Sequence, residues 1–278
     1  MYVRNGTGVL KKVLVSRPEY LKPAPINEIA RKWENTRLDV DKMLEEHQAF
    51  VNAYKDEGVE VEFLDADPGR PNSVFARDFG GCIREGYILG TFKLPLRYQE
   101  HNDYQKRMET LGVPLVAKCE NGLFEGGDFA FLRENLIALG MADRTDETGV
   151  AEIRKQLEPL GYQVVGVPLK KEYLHLDMCF NLVDDHLAVA YKEGMPESFL
   201  KLLESEDIEI VSVSEEMIYK HGCNLQALGE KRVLSLKQNE AVNEALTKRG
   251  MRVIPLDITE ILKAGGGPHC MTFPLIRD

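Results

Sequence analysis

The sequence has no block of Lys or Arg, no apolar run as long as ~18 residues, no CxxC pair and no Ser/Gly-rich linker. Each absence excludes something. With 35 Lys+Arg against 45 Asp+Glu the net charge is −10. Nucleic-acid binding therefore has no electrostatic footprint. The negative balance serves solubility and mildly favours a small cationic substrate. The missing apolar run excludes a membrane-spanning helix. The opening MYVRNGTGVLKKVLVSRPEY lacks a signal peptide's basic region, apolar stretch and cleavage site. The five cysteines, Cys82, Cys119, Cys179, Cys223 and Cys270, are odd in number. They read as free thiols in a reducing, cytoplasmic setting. Because His269 and Cys270 are adjacent rather than spaced as ligands, a zinc site is not expected.

What is present is a repeat. A helix-like polar stretch, a glycine and a short β-branched run recur as YKDEGVEVEFLD (54–65), METLGVPLVAK (108–118), LEPLGYQVVGVPL (157–169), LLESEDIEIVSVS (202–214) and LTKRGMRVIPLD (246–257). The fourth copy has no glycine. Strand-like text precedes each helix: VLKKVLVSRP, GYILGT, NLIALG, HLAVAY and KRVLSLK. The unit reads strand, strand, helix, strand. With no linker, the chain is expected to form one catalytic domain over 1–278, an α/β fold whose five units close radially as a five-bladed propeller. A doubly wound sheet is the competing reading.

Polar segments stand before the strand pairs: PNSVFARDFGG (71–81), NGLFEGGDF (121–129), YLHLDMCFN (173–181), KHGCNLQAL (220–228) and GGGPHCM (265–271). Radial units bring such segments together at one end. They carry chemistry. Cys270 is the candidate nucleophile, and His175 a residue that titrates near neutrality; His269 competes for the same role. Asp78, Glu125, Asp128 and Asp177 would repel one another in a partly dry pocket unless a cation compensates. A planar guanidinium does so with bidentate contacts; Mg²⁺ or Ca²⁺ is the rival. Arg77 precedes Asp78 and is read as the partner of a buried acid. Arg144 is a candidate for a substrate carboxylate. Asn72 after Pro71 also reads as a turn cap.

PNSVFARD, FEGGD, HLD and the glycine-rich turn ending in Cys270 resemble the arginine deiminase, dimethylarginine dimethylaminohydrolase and amidinotransferase superfamily, from about residue 10 to 275. The resemblance implies the pentein fold, a pseudo-fivefold α/β propeller. It implies that Cys270 attacks the guanidinium carbon to give a thiouronium intermediate. His175 then protonates the leaving nitrogen and later activates water. Glu125 holds the guanidinium and orients His175, and Asp78 and Asp177 grip its nitrogens. Asp128 becomes a structural acid. Gly126 and Gly127 turn the backbone tightly, and Gly265, Gly266 and Gly267 give clearance beside the substrate. His269 becomes a neighbour. No metal and no organic cofactor are implied.

Within the superfamily, the acidic Asp177 resembles deiminases and amidinotransferases. Typical dimethylarginine hydrolases are expected to carry a non-acidic residue there. The compact length and Pro71–Asn72 also resemble arginine dihydrolases, in which the matching asparagine supports a second hydrolysis to ornithine. Arg144 matches an arginine that contacts the substrate carboxylate in compact relatives, and Arg97 is the second candidate. The stretch 20–36 reads equally as a lid or as a surface loop. Free arginine converted to citrulline and ammonia is the primary expectation. A second step to ornithine, methylarginine hydrolysis, amidino transfer and a non-catalytic binding role stay open, as does a homo-oligomeric state.

Overall fold

A computed structural model describes residues 2–278. It contains fifteen strands in five separate three-stranded sheets. The strands are β1 (Leu10–Ser16), β2 (Glu60–Leu64), β3 (Gly80–Ile83), β4 (Gly86–Leu89), β5 (Leu115–Lys118), β6 (Phe129–Arg133), β7 (Leu136–Met141), β8 (Gln163–Pro168), β9 (Phe180–Asp184), β10 (Leu187–Ala190), β11 (Glu209–Ser212), β12 (Gln226–Gly229), β13 (Arg232–Leu236), β14 (Arg252–Leu256) and β15 (Phe273–Arg277). Every sheet repeats one pattern. An antiparallel pair is followed by a helix, and the helix returns a third strand parallel to the middle one. The fold is thus α/β with five small mixed sheets, and the doubly wound alternative does not hold.

One unit departs from the sequence reading. VLKKVLVSRP supplies only the middle strand of its sheet. The missing first strand is β15, which pairs antiparallel with β1 and follows Cys270 directly in the chain. The unit is completed from the other end of the sequence.

The helices follow from their spacing and caps. In Val40–Asp56, Met43, His47, Phe50, Val51 and Tyr54 fall on one buried face. Asp39 caps its start by accepting the Lys42 N–H at 3.1 Å. Gly58 ends it at φ +78°, the left-handed position that glycine takes freely. Gly112, Gly161 and Gly250 repeat this at φ +68°, +91° and +81°. In the fourth unit the same left-handed turn is taken by Asp207, at φ +55°. That explains the copy without glycine: aspartate is among the few residues that tolerate this region.

The apolar core forms three clusters, each bridging neighbouring units. Phe79 is fully buried, stacked on Tyr104 at 4.6 Å and tilted against Phe273 at 5.1 Å. It ties the segment carrying Asp78 to the strand that follows Cys270. Truncating such a ring costs about 3–5 kcal/mol. No helix among the described residues is long and apolar enough to cross a membrane.

Candidate active site

Each polar segment leads into the first strand of an antiparallel pair, and together they bring their side chains to one place. The Arg77 N–H donates to the Cys270 carbonyl at 2.9 Å, joining the second unit to the closing turn. His175 Nε2 lies 3.0 Å from Glu125 Oε2, joining the fourth to the third. His175 Nδ1 lies 3.7 Å from Asp78 Oδ1. Asp177 Oδ2 is 3.6 Å from Cys270 Sγ. So Cys270, His175, Glu125, Asp78 and Asp177 are gathered as expected.

Local backbone features position them. Leu174, just before His175, is held at φ +61°, an unusual conformation for a leucine and one that a surrounding structure must enforce. Gly127 is required by close approach: a Cβ there would stand 2.6 Å from His175 Nδ1. Gly126 packs as tightly, on the carbonyls of Gly80 and Arg77. In the closing turn Gly265 has φ +102°. A Cβ on Gly266 would meet the Phe75 ring, and one on Gly267 the Asn224 side chain.

Charge sorts the acids into roles. Glu125 is fully buried with both oxygens engaged: Oε1 accepts the Lys93 N–H at 2.9 Å, and Oε2 meets His175 and, at 3.5 Å, Arg144. Burial opposes its charge, but His175, Arg144 and Arg97 outweigh that and hold it down at about 2. Its Oε2 contact orients His175. Burial also opposes charge on His175, yet Asp78 and Glu125 raise it to about 10. His175 is therefore an imidazolium at neutral pH. Asp78 is raised by burial, with Glu125 and Asp177 repelling it and His175 and Arg97 pulling the other way. Asp128 accepts from Thr145 at 2.7 Å and from the Leu176 N–H at 2.8 Å. Burial lifts it to about 7. It braces the turn that carries His175, as a structural acid should.

One oxygen each of Asp78 and Asp177, the Oδ1 atoms, is buried and has no hydrogen-bond partner. These are acceptors suited to a cationic planar donor. Cys270 is the only cysteine among the described residues that is not fully buried. Burial, then the Asp177 and Asp78 charges, push its thiol well above the ordinary range. A bound cation offsets those charges and so favours the thiolate. Asp78, Glu125 and His175 place ligand atoms within 4.8 Å of one another.

Three arginines differ from expectation. Arg97 is 1% exposed, and its guanidinium is taken up by Asp78 at 2.5 Å and Glu100 at 2.8 Å. It buttresses Asp78, and its guanidinium is committed to two buried acids rather than free for a substrate carboxylate. Arg77 does not pair with an acid; its side chain donates to Gln226 at 3.1 Å. Arg144 reaches Asp143 at 2.9 Å, Glu125, and the Ile26 carbonyl. These contacts place it behind Glu125 and fasten the 20–36 segment, where Asn27 also donates to the Gly265 carbonyl at 2.8 Å. Asn72 is fully buried with neither amide atom partnered.

One partner was not singled out from sequence, and another has a larger part than expected. Asn224 Nδ2 donates to Cys270 Sγ at 2.9 Å. Its segment, KHGCNLQAL, was legible as one of the converging loops, but nothing in the text marked the asparagine. His269, expected as a mere neighbour, holds Asp177 through Nδ1 at 2.8 Å. Burial and the nearby Arg77 lower it to about 4, so it is a neutral donor.

The chain matches the family model of eukaryotic N,N dimethylarginine dimethylhydrolase over residues 17–277. It is 30% identical to the uncharacterized protein YkgA of Bacillus subtilis over 99% of this chain and 94% of that protein. It is 24% identical to an arginine deiminase of Listeria welshimeri over 75% of this chain, and spans 62% of that protein's length. Among solved structures, the N-terminal domain of ArgZ, a cyanobacterial arginine dihydrolase, superposes with a TM-score of 0.84 at 22% identity, covering 95% of this chain and 96% of that one. AgrE superposes with a TM-score of 0.86 at 23% identity over 96% of this chain, which spans 40% of AgrE. The chain belongs to the N,N dimethylarginine dimethylhydrolase family, within the guanidino-modifying superfamily that also holds the arginine deiminases.

Proposed function

We propose that this chain is a single catalytic domain, closed as a five-bladed propeller, that hydrolyses the guanidino group of free arginine to citrulline and ammonia in a reducing, cytoplasmic setting. The observation that carries the reading is that Asp78 and Asp177 each keep one buried oxygen without a hydrogen-bond partner, while the other oxygen of Asp177 lies 3.6 Å from Cys270 Sγ.

The steps follow from the charges. A guanidinium enters between Asp78 and Asp177 and neutralises the field that keeps the thiol protonated. The Cys270 thiol proton leaves to solvent. The Cys270 sulfur attacks the guanidinium carbon. Imidazolium His175 gives its proton to one terminal nitrogen, which departs as ammonia and leaves a thiouronium on sulfur. Water then adds to that carbon, and neutral His175 takes its proton. Collapse of the adduct breaks the C–S bond and releases the ureido product. Fixed donors and charges act here without reorganising during the reaction.

Asp177 favours an unmethylated nitrogen, because a methylated one cannot offer the same pair of N–H donors. Two other outcomes have support. Asn72, with its buried unpartnered amide, and the likeness to ArgZ favour a second hydrolysis to ornithine. The family model favours methylated arginine.

The test is product analysis with arginine, methylarginines, agmatine and citrulline, with and without glycine as an amine acceptor. One citrulline and one ammonia per arginine supports the reading. Ornithine with two ammonia, turnover of methylarginines only, or amidino transfer to glycine replaces it. Activity that tracks stoichiometric bound metal overturns it.

A further inference from the structure

The first strand of every sheet lines a cavity of about 50 Å³ next to the candidate active site. Its lining includes Asn5 and Gly6 as well as Asp177 and His269. Two arginines line it, Arg77 and Arg277, at 7% and 2% exposure. Neither forms an ion pair among the described residues. Arg277 donates only to the neutral carbonyls of Gly8 and Ala227, each at 2.7 Å. Arg77 donates to the neutral Gln226, and its buried Nε has no partner.

A buried guanidinium without a counter-charge is costly, and such groups are normally paired. The only acid lining the cavity is Asp177. It acts on Arg77, which leaves Arg277 with no opposing charge. Burial and repulsion from Arg77 lower Arg277's hold on its proton, which is the mark of an unrelieved cation.

We propose that this cavity is a binding site for one small monovalent anion, of chloride to bicarbonate size, held by Arg277 and the free Nε–H of Arg77. A volume of this size exceeds what one water needs. The cavity shares Asp177 and His269 with the candidate active site but is not lined by Cys270, His175, Glu125 or Asp78, and the inference does not depend on the reading of catalysis.

The test measures Tm of the full chain in chloride, bicarbonate or gluconate at constant ionic strength. Chloride or bicarbonate should raise Tm saturably over gluconate, by a few degrees for each roughly tenfold increase beyond half-saturation. Gln226→Glu supplies an internal counter-charge to Arg77, and Arg277→Met removes the other cation. Either change should abolish the anion dependence. Crystals of the wild-type protein in bromide should show anomalous density between the two guanidinium groups. Equal Tm in all three salts overturns the proposal. So does an undiminished chloride effect in Gln226→Glu, or bromide density only elsewhere. The diffraction experiment needs no variant, so poor folding of either substitution does not blunt the test.

Discussion

The Asn224 amide nitrogen donates to Cys270 Sγ at 2.9 Å, while its oxygen receives the backbone N–H groups of His269 at 2.9 Å and Cys270 at 3.4 Å. One side chain fixes both the sulfur and the turn that bears it. The donor favours the thiolate, so removing it raises the thiol pKa. Asn224→Ala should move the acid limb of kcat/KM to higher pH and lower kcat by about 10- to 100-fold at neutrality. A uniform loss with an unmoved pH profile would make Asn224 only a turn former.

Asp177 has one oxygen on His269 and the other unpartnered. Asp177→Asn keeps the shape but removes the charge. KM for arginine should rise about 10- to 100-fold, and discrimination against methylarginines should shrink. Steady-state kinetics on both substrates read this directly. An unchanged arginine KM would remove Asp177 from the guanidinium grip.

Arg97 separates a buttress from a substrate contact. Arg97→Met leaves Asp78 and Glu100 buried without their partner, which should cost roughly 3–5 kcal/mol of stability. Denaturant unfolding of the wild type and the variant measures the difference. A fully stable Arg97→Met protein with only a raised KM would restore the carboxylate-binding role.

His175 sets a pH signature. Its pKa is raised from 6.5 to about 10 on folding. Its contribution is therefore fully present below pH 6.5 and fades as pH rises through about 10. The Tm gap between wild type and His175→Gln should narrow over that interval. Glu125, depressed from 4.5 to about 2, behaves oppositely: its share is present above pH 4.5 and is lost on acidification toward 2. A Tm gap that is flat from pH 6 to 10 would contradict the charged imidazole.

Much of this was legible in the sequence because repetition and charge are local signals. The helix–turn–strand copies marked the units, and the acids in PNSVFARD, FEGGD and HLD marked the pocket. The swapped first strand was not legible: FPLIR reads as a strand, but its pairing with β1 is a long-range fact. Arginine partners were misjudged for a similar reason. Arg77 is next to Asp78 in sequence, yet adjacent residues in this turn point apart. The guanidinium that reaches Asp78 comes from Arg97, at an unrelated-looking position in LPLRYQE. Asn224 carried no charge and no motif to betray it.

The account's central claim is a covalent intermediate on Cys270. Mass spectrometry of the protein quenched during turnover of arginine tests it most directly. The account predicts an adduct with the mass of arginine less ammonia, mapped to the peptide holding Cys270 and absent from Cys270→Ala, which still folds, still binds arginine and no longer turns it over. Turnover by Cys270→Ala, or steady turnover by the wild type with an adduct on another residue, would contradict it.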